Sequence, residues 1–309
     1  MPIALVTGGA GFIGSHLVQL LADRGWSVRV LDNLSTGSRD NLAGAGAELV
    51  EGDIRDPQVV DRAALGAGLV FHLAAMISVP ESMAQPVECY RANVLGSLHV
   101  LDAARRVGAR KVVLSSSCAV YGNAGHPVGE SSETAPISPY AASKLAMEQG
   151  ARMMAAAFGL ETVCLRYFNV YGPRQAPDSP YAAAIPIFIR TMQSGRSPVI
   201  FGDGLQTRDF VFVGDVARAN LLAAEARVEP GTVFNIGSGR SVTINEVVET
   251  LRAQFPGLPE PSHGPPRPGD IRLSAGLIDR AGQALGYRPE TALASGLAAT
   301  VEWARRAAR

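Results

Sequence analysis

The sequence predicts an α/β protein built on a doubly wound parallel sheet, with a smaller mixed α/β region at its C-terminal end. Short continuous apolar runs alternate with helical stretches through the first half of the chain, which is typical of strands buried on both faces of a parallel sheet. The first run leads into a glycine-rich turn that opens an amphipathic helix. After about residue 167 the pattern becomes mixed.

The first half contains the strands and helices from which the sheet is predicted. Apolar runs that fit buried strands lie at residues 3–6, 28–31, 48–51, 69–73, 112–115 and 162–166. Helices are predicted from 15 to 24, from 86 to 107 and from 140 to 158. Gly108 and Gly159 follow the two longer helices, where glycine suits the left-handed backbone of a helix C-cap. We therefore assign residues 1–166 to one domain.

The second half is predicted to be a substrate-binding domain over residues 167–309. Short strands at 199–201, 210–212 and 233–236 alternate with helices at about 182–193, 214–226, 243–254, 278–285 and 292–307. A loop rich in proline and glycine, 256–270, precedes the two last helices. We expect this domain to cover the carboxyl edge of the sheet and to close a cleft there. Whether some of its strands return to the main sheet is left open.

Composition excludes several classes of protein. Positive and negative side chains balance at 28 each, so nothing predicts a nucleic acid or an anionic membrane as partner. Cys89, Cys118 and Cys164 have no CxxC spacing, which argues against a disulfide framework and a structural zinc site, and no metal is expected. No apolar run approaches the ~18 residues of a membrane span, and the first residues lack the pattern of a signal peptide. We therefore expect a soluble, cytoplasmic protein.

The glycine-rich turn predicts a dinucleotide site. Gly8, Gly11 and Gly14 let the chain turn tightly and let backbone amides approach a pyrophosphate at the helix N-terminus. The second strand ends in Asp32, eighteen residues after Gly14, where a carboxylate is expected to accept hydrogen bonds from the adenosine ribose of NAD. The predicted sheet is thus a Rossmann sheet that binds NAD. Arg39 in the following loop leaves NADP as an alternative, although Asp32 would repel its 2′-phosphate.

Tyr140 and Lys144 are a candidate acid–base pair. They lie four residues apart on a predicted helix and therefore share a face. A tyrosine hydroxyl normally titrates near pH ~10, and a nearby ammonium group lowers that pKa by favouring the phenolate. The fifth strand delivers the serine run 115–117 to the carboxyl edge of the sheet. His72, inside an apolar strand, is interpreted as a core histidine with satisfied hydrogen bonds.

A series of motifs follows one order along the chain: Thr7-Gly-Gly-Ala-Gly-Phe-Ile-Gly14, Asp32-Asn33, His72-Leu-Ala-Ala75, Asn93, Ser115-Ser-Ser117, Val120-Tyr-Gly122, Tyr140-x-x-x-Lys144 and Arg166-Tyr-Phe-Asn-Val-Tyr-Gly-Pro-Arg174. In this order and spacing they resemble the extended short-chain dehydrogenase/reductases, and within that family the sequence is most similar to the UDP-hexose 4-epimerases. The resemblance runs from Pro2 to the final helix. It implies an isomerase that uses bound NAD to invert C4 of a UDP-hexose through a transient 4-keto sugar.

The resemblance also implies the roles of individual residues. Tyr140 would be the base, Lys144 would lower its pKa, and Ser117 would relay the proton. NAD would contact Gly8, Gly11, Phe12, Ile13, Gly14, Asp32, Asn33, Asp53, Ile54, Leu73, Ala74, Ala75, Asn93, Ser115, Tyr140, Lys144 and Tyr167. The UDP-sugar would contact Ser78, Ser117, Asn169, Gln175, Ala183, Arg208, Arg267 and Ser274. Read without the resemblance, Arg208 and Asp209 would form only a surface ion pair.

Cys118, Ala119 and Ser274 indicate which reaction is catalysed and which sugar is accepted. Similar 4,6-dehydratases carry an Asp-Glu pair directly after the catalytic Ser or Thr, and similar decarboxylases a Glu at the second position. Here these positions are Cys118 and Ala119, so elimination lacks its acid and base, whereas removal and return of a hydride needs neither. Ser274 takes the place of a bulky tyrosine in glucose-restricted 4-epimerases, which leaves room for a C2 N-acetyl group. UDP-GlcNAc and UDP-GalNAc are therefore favoured, with UDP-glucose and UDP-galactose as alternatives.

Other activities stay open on the sequence alone. A UDP-uronic acid 4-epimerase would need an additional cationic or amide group at C6. An NAD(P)-binding keto-sugar reductase would consume its cofactor. A redox sensor would bind NAD without chemistry.

The helices at 86–107 and 140–158 also predict self-association. They carry apolar residues on more than one side, for example Leu98 and Met153, and a helix that is apolar beyond one stripe is usually buried twice. Relatives commonly pair these helices across a dimer axis, so we predict a homodimer.

Overall fold

The computed structural model describes residues 3–125, 127–176, 184–266 and 272–307. The strands of these residues are β1 (Ile3–Thr7), β2 (Ser27–Asp32), β3 (Glu48–Glu51), β4 (Ala67–His72), β5 (Lys111–Ser117), β6 (Thr162–Tyr167), β7 (Asn169–Tyr171), β8 (Val199–Phe201), β9 (Thr207–Phe212), β10 (Thr232–Ile236), β11 (Ser241–Thr243) and β12 (Ser262–Gly264). Their α-helices are α1 (Phe12–Asp23), α2 (Pro57–Ala64), α3 (Val79–Ala84), α4 (Pro86–Tyr90), α5 (Ser97–Arg106), α6 (Pro139–Phe158), α7 (Ala184–Gln193), α8 (Val213–Glu225), α9 (Ile244–Arg252), α10 (Asp279–Leu285) and α11 (Leu293–Ala307).

The main sheet has seven strands in the order β3-β2-β1-β4-β5-β6-β10, and every neighbouring pair is parallel. The chain starts in the middle at β1, winds outward to β3, and then returns to β4 to wind outward the other way. The reversal between β1 and β4 is the place where a doubly wound sheet opens a crevice at its carboxyl edge. The predicted doubly wound α/β fold is confirmed. β10, which lies beyond residue 166, belongs to this sheet.

Helices cover both faces of the main sheet because successive strand residues point to opposite sides. In β1, Ala4 and Val6 are buried in one apolar cluster with α1 and α8. Leu5 is buried in a second cluster with α2, α5 and α6. Complete burial of a valine or leucine side chain is worth ~1.5–3 kcal/mol relative to its exposure. The two clusters therefore hold the strand ends, and the side chains they carry, in fixed positions.

A smaller region with its own core covers the carboxyl edge of the main sheet. It contains the three-stranded sheet β11-β9-β7 and the parallel pair β12-β8. Side chains of α7, α9 and α11 form its apolar cluster, which includes Ile189, Val248 and Leu297. β7 follows β6 after a single residue and pairs in parallel with β9, so this small sheet is attached directly to the end of the main sheet.

The predicted helix at 86–107 is not one regular helix. α4 is followed by a π-helical turn, Arg91–Gly96, before α5 begins. Such turns are rare and often occur at functional sites. A Cβ at Gly96 would lie 2.7 Å from Ile54 Cδ1, so glycine lets this turn approach the loop after β3. α2 and α3 were not predicted; α3 has only six residues, too few to show a helical period.

Among the described residues, no helix is both long enough and apolar enough to span a membrane.

Candidate active site

A cavity of about 490 Å³ opens at the carboxyl edge of the main sheet, at the reversal between β1 and β4. Residues from the glycine-rich turn, the loops after β2, β3 and β4, the end of β5 and helix α6 line it. Sixteen of the seventeen residues predicted to bind NAD are among them: Gly8, Gly11, Phe12, Ile13, Gly14, Asp32, Asn33, Asp53, Ile54, Leu73, Ala74, Ala75, Ser115, Tyr140, Lys144 and Tyr167. The glycine turn and the Tyr–Lys pair thus share one cavity.

The glycine-rich turn is packed so closely that larger residues do not fit. Gly8 has φ +71°, and a Cβ there would lie 2.6 Å from the Ala74 nitrogen. A Cβ at Gly14 would lie 2.1 Å from the Gly8 carbonyl oxygen. No side chain caps the N-terminus of α1 at Gly11. Its first amides are therefore available to a pyrophosphate, and the turn fits a dinucleotide.

Asp32 joins the glycine turn to the end of β2. Its carboxylate is 7% exposed and accepts hydrogen bonds from the backbone nitrogens of Ala10 and Leu34, at 2.9 and 2.8 Å. A carboxylate accepts about four hydrogen bonds, so it can still accept from a ribose hydroxyl. Nearby, the hydrogen bond from Arg55 lowers the pKa of Asp53 to about 2. Arg39 pairs with Glu51. This end of the cavity is therefore anionic, which suits NAD better than NADP.

Asn93 is the one predicted NAD residue that does not line the cavity. It is 1% exposed, within the π-helical turn. Its side chain accepts a hydrogen bond from Met76 N at 2.7 Å and donates to Met76 O at 2.9 Å and to Ser143 Oγ at 2.9 Å. A direct contact between Asn93 and NAD stays a prediction. The side chain fixes the loop after β4, of which Ala74 to Ile77 line the cavity.

Helix α6 brings Tyr140 and Lys144 against the end of β5. Ser138 caps the helix by accepting from Ala141 N at 3.2 Å, and Tyr140 N donates to Ser82 Oγ of α3 at 3.1 Å. Lys144 is 3% exposed, and its Nζ donates to the Ser115 carbonyl oxygen at 2.8 Å. The same Nζ lies 6.0 Å from the centre of the Tyr140 ring.

The protonation behaviour of this pair differs from the prediction. Burial raises the pKa of Tyr140 to about 12, although a hydrogen bond with Ser117 acts to lower it. Burial also lowers the pKa of Lys144 to about 8. The predicted lowering of the tyrosine pKa by Lys144 is thus absent from this structure. The physical reason is burial, which disfavours both the phenolate and the ammonium ion.

His72 is a core residue, as predicted. Its Nδ1 lies 2.7 Å from Thr7 Oγ1, and its Nε2 lies 2.8 Å from Ser97 Oγ. Burial lowers its pKa to about 3, so it is neutral at physiological pH.

Comparison with known proteins decides the family. The family model described as "NAD dependent epimerase/dehydratase family" matches residues 4–237. The chain belongs to this family. The UDP-glucose 4-epimerase of Mycolicibacterium smegmatis is 41% identical over 308 residues, covering 97% of this chain and 98% of that protein. The resemblance to extended short-chain dehydrogenase/reductases is confirmed.

Two solved structures are similar over the whole chain. One is the UDP-N-acetylglucosamine 4-epimerase from Methanobrevibacter ruminantium M1 in complex with UDP-N-acetylmuramic acid, with a TM-score of 0.94 and 38% identity, covering 99% of both chains. The other is the UDP-glucose 4-epimerase from Thermotoga maritima with UDP-glucose, with a TM-score of 0.93 and 40% identity, covering 99% of this chain and 100% of that one. The chain is therefore an enzyme of the NAD-dependent epimerase/dehydratase family, and NAD is its cofactor.

In this epimerase/dehydratase-family enzyme, predicted sugar-nucleotide residues lie on the small sheet. Asn169 pairs with Phe210 across β7 and β9, and Arg208 is two residues away, so these side chains share one face. Asn169 Nδ2 donates to the Asp209 carbonyl oxygen at 3.3 Å, and Arg208 Nη1 donates to the Thr207 carbonyl oxygen at 2.8 Å. Gln175 donates to the Val170 carbonyl oxygen at 3.2 Å.

The remaining predicted sugar-nucleotide residues are in different surroundings. Ser78 caps α3 by accepting from Glu81 N at 3.1 Å. Ser274 is 6% exposed, and its carbonyl oxygen accepts from Ser241 Oγ at 2.8 Å. Ala183 and Arg267 lie outside the described residues.

The surface ion pair between Arg208 and Asp209 is contradicted. Asp209 is 0% exposed, and its carboxylate accepts from Ser238 N at 2.6 Å, Ser238 Oγ at 2.7 Å and Gly239 N at 3.1 Å. It fixes the loop after β10, while the neighbouring Arg208 lies on the opposite face of β9.

Cys118 and Ala119 follow Ser117 in a short 3₁₀ turn. Burial raises the pKa of Cys118 to about 12, so this side chain is a neutral thiol at physiological pH. Neither residue can act there as a general acid or base for elimination.

Sequence reasoning missed Glu148 and Arg55. Glu148 is 0% exposed and hydrogen-bonds Ser116 at the end of β5. Its position four residues after Lys144 and eight after Tyr140 was the available signal, because residues at that spacing share a helix face. Arg55 lines the cavity through its position in the loop after β3, which no local pattern indicates.

Proposed function

We propose that this enzyme inverts C4 of UDP-hexoses through a 4-keto sugar, with NAD retained through each cycle. The observation that carries the proposal is the cavity shared by the glycine-rich turn and the Tyr140–Lys144 pair. Bound NAD would take up and return the C4 hydride and would add positive charge near the phenol when oxidised. The UDP-sugar 4-epimerases among its relatives support this reaction.

The protein's own groups handle the proton. Tyr140 takes the proton of the C4 hydroxyl and later returns it. Ser117 holds the C4 oxygen and relays the proton to Tyr140, whose pKa its hydroxyl acts to lower. Lys144, whose Nζ lies 6.0 Å from the centre of the Tyr140 ring, would stabilise the phenolate once substrate and NAD occupy the cavity. The neutral thiol of Cys118 and the methyl group of Ala119 favour epimerisation over elimination.

Contacts to the rest of the substrate come from the small sheet. Asn169 and Arg208 lie on one face of that sheet and are suited to a diphosphate, because amide and guanidinium groups donate to its oxygens. Arg267 is proposed as a further phosphate contact from the sequence alone. The sequence of this region supports a nucleotide-sugar site next to the NAD cavity.

We further propose N-acetylated UDP-hexoses as the preferred substrates. Ser274 is small and buried, which supports room beside C2 for an acetamido group. Incubating the purified enzyme with UDP-GalNAc, UDP-galactose or UDP-galacturonic acid, without added NAD, and following the sugar anomeric signals by NMR tests both proposals. Conversion of none of the three substrates would contradict the epimerase function. Faster turnover of the plain hexose or the uronic acid would contradict the sugar preference only.

The Ser274→Tyr variant tests the residue behind that preference. The phenol ring would fill the space proposed for the acetamido group. We expect kcat/KM for UDP-GalNAc to fall at least about tenfold, a change that one overfilled pocket can produce, while that for UDP-galactose is retained. Equal kcat/KM ratios in wild type and variant would refute the role of Ser274.

A homodimer is proposed through α4, α5 and α6. A groove of about 500 Å³ on this face is lined by Pro86, Val87, Tyr90, Arg91, Val94, Leu95 and Leu98. Apolar side chains stand exposed here, including Val87 at 62%, Leu95 at 47% and, on α6, Phe158 at 56%. Exposed apolar side chains clustered in this way usually mark an interface. A second copy is the proposed occupant, because a two-fold axis would pair the patch with itself and cover both copies.

A further inference from the structure

Glu148 lies on the same face of α6 as Tyr140 and Lys144, one helical turn beyond the lysine. The side chain is completely buried. Its Oε1 accepts from Ser116 Oγ at 2.6 Å and from Arg166 Nε at 2.8 Å, and its Oε2 accepts from Arg166 Nη2 at 2.7 Å. A buried carboxylate with three donors, two of them from one guanidinium group, is a rigid element.

Two side chains of this helix face attach α6 to consecutive residues of β5. Lys144 Nζ donates to the Ser115 carbonyl oxygen at 2.8 Å, and Glu148 accepts from Ser116 Oγ at 2.6 Å. These two contacts set the position of the serine run, and with it Ser117, relative to Tyr140. Of the two, Glu148 is the one outside the proposed proton transfer.

Arg166 is held from its other side, so it anchors the carboxylate. Its Nη1 donates to Tyr121 Oη at 2.9 Å, and that hydroxyl donates to Asn235 Oδ1 at 2.6 Å. Asn235 Nδ2 in turn donates to the carbonyl oxygens of Val128 and Leu277, at 3.0 and 3.2 Å. The network links α6 and β5 to the main-sheet strand β10 and to the segment that follows Ser274.

We propose that Glu148, anchored by Arg166, is a positioning residue that holds the serine run through Ser116 and keeps Lys144 charged. This inference rests on the proposed function, because it concerns the same Ser117–Tyr140–Lys144 group. Glu148 itself does not contact the reacting atoms in this scheme.

The charged surroundings of Lys144 support the second part of the proposal. The titratable groups that influence it are Tyr140 and Glu148 on α6, His72 on β4, Cys89 on α4 and Cys164 on β6. Burial holds the pKa of His72 far below neutrality and raises those of Tyr140 and both cysteines, so these four side chains are neutral around pH 7. Of these five groups, Glu148 is therefore the one that carries a negative charge, and Arg166 is its ion-pair partner.

The Ser116→Ala variant tests the positioning, and Thr162→Val is its matched control. Ser116→Ala removes one hydrogen bond and leaves the Glu148–Arg166 pair intact. Thr162 is equally buried, and its Oγ1 bonds the Ala151 carbonyl oxygen of the same helix at 3.0 Å, at the opposite edge of the sheet. We expect Ser116→Ala to lower kcat by about tenfold to a hundredfold, because small displacements of reacting groups slow a reaction by this much. KM should stay within about twofold of wild type. Thr162→Val should leave both constants near wild type.

The charge is tested by NMR on the protein without substrate. Lys111 and Lys144 are the two lysines of the chain, so ¹³Cε-lysine labelling gives two signals, which a Lys111→Arg variant assigns. Glu148→Gln keeps the shape of the side chain but removes its charge and leaves Arg166 as a nearby cation. The pKa of Lys144, about 8 in the wild type, should then fall by about one unit or more.

These measurements distinguish a failure of the proposed epimerase function from a failure of the role proposed for Glu148. If wild-type protein does not epimerise any UDP-hexose, the proposed function fails, whereas the NMR titration still tests the influence of Glu148 on Lys144. If wild type is active and Ser116→Ala retains its kcat, or loses kcat and melting temperature just as Thr162→Val does, the positioning role is overturned. An unchanged Lys144 titration in Glu148→Gln overturns the charge role. If Glu148→Gln does not fold, Ser116→Ala decides the proposal.

Discussion

The environment of Tyr140 opposes the role proposed for it as a base. Its pKa is raised to about 12 by burial, yet epimerisation needs it to accept and return a proton near neutrality. In this structure the Ser117 hydroxyl acts to lower that pKa, while Lys144 Nζ lies 6.0 Å from the centre of the ring. The protonation of the phenol therefore depends on the charges of what occupies the cavity. This is how one side chain can act as both acid and base in a cycle.

Tyr140→Phe should lower kcat by at least about a hundredfold, because general acid–base catalysis contributes 10²–10⁴-fold. Turnover is followed by NMR of the sugar signals with saturating UDP-sugar. Tyr171→Phe is the control, since Tyr171 is a buried tyrosine outside the cavity whose Oη lies 3.4 Å from the Leu293 carbonyl oxygen in the smaller core. Near-normal turnover by Tyr140→Phe would show that another group moves the proton.

The pH dependence of kcat/KM should report Lys144. Its pKa lies at about 8 in the protein, below the ordinary lysine value of 10.5, because burial disfavours the ammonium ion. As the pH rises through about 8, the positive charge beside Tyr140 is lost, so kcat/KM should decline on the alkaline side. Rate measurements between pH 6 and about 10 check this. A profile that stays flat to pH ~10 would contradict the assignment of that charge to Lys144.

At the scale of elements, the site depends on how tightly the turn before α1 packs. Gly14→Ala should destabilise the fold by about 1–3 kcal/mol and weaken NAD binding, because its Cβ would lie 2.1 Å from the Gly8 carbonyl oxygen and the turn must move. Denaturant unfolding and calorimetric titration with NAD measure the two effects. Gly125→Ala is the control, since nothing lies within 4 Å of a Cβ there and its φ is not positive. Equal behaviour of the two variants would mean that the turn is more adaptable than its packing indicates.

The elements also show what the sequence could and could not predict. The strands of the main sheet were predictable because each is a short apolar run, and sixteen of the residues expected to bind NAD line one cavity because they follow these strands. That β10 pairs with β6 was not, because pairing depends on distant residues rather than on the local pattern. The π-helical turn was missed because the apolar period continues through it. The Lys144 pKa depends on burial, which has no signature in the Tyr-x-x-x-Lys spacing.

At the scale of the whole molecule, the apolar face of α4, α5 and α6 lies on the outer surface of the helices that carry Tyr140 and Asn93. A dimer formed there would pack one active-site helix against its copy. It would also cover side chains that are costly to leave in water, such as Phe158, which is 56% exposed in one copy.

Leu98→Glu should convert the proposed dimer to monomers. The carboxylate would be buried near the two-fold axis and would face the same carboxylate of the second copy. The dissociation constant of the dimer should therefore rise by at least about tenfold, equivalent to ~1.4 kcal/mol. Sedimentation velocity at micromolar concentration measures the mass. Leu65→Glu is the control, since Leu65 is 62% exposed and lies at the end of α2, outside this face. A monomeric wild-type protein would refute the dimer.

Lys111 is as inaccessible as Lys144. It is 2% exposed, and its Nζ lies 3.2 Å from Glu161 and donates to the Ala226 carbonyl oxygen. The surface cations are arginines, so the native protein presents no lysine amine to acylating dyes, aldehyde crosslinkers or amine-coupled supports. Modification of either lysine would have to wait for the chain to open. The rate of modification would therefore report unfolding at the carboxyl end of β5 through Lys144 and at the first residue of β5 through Lys111.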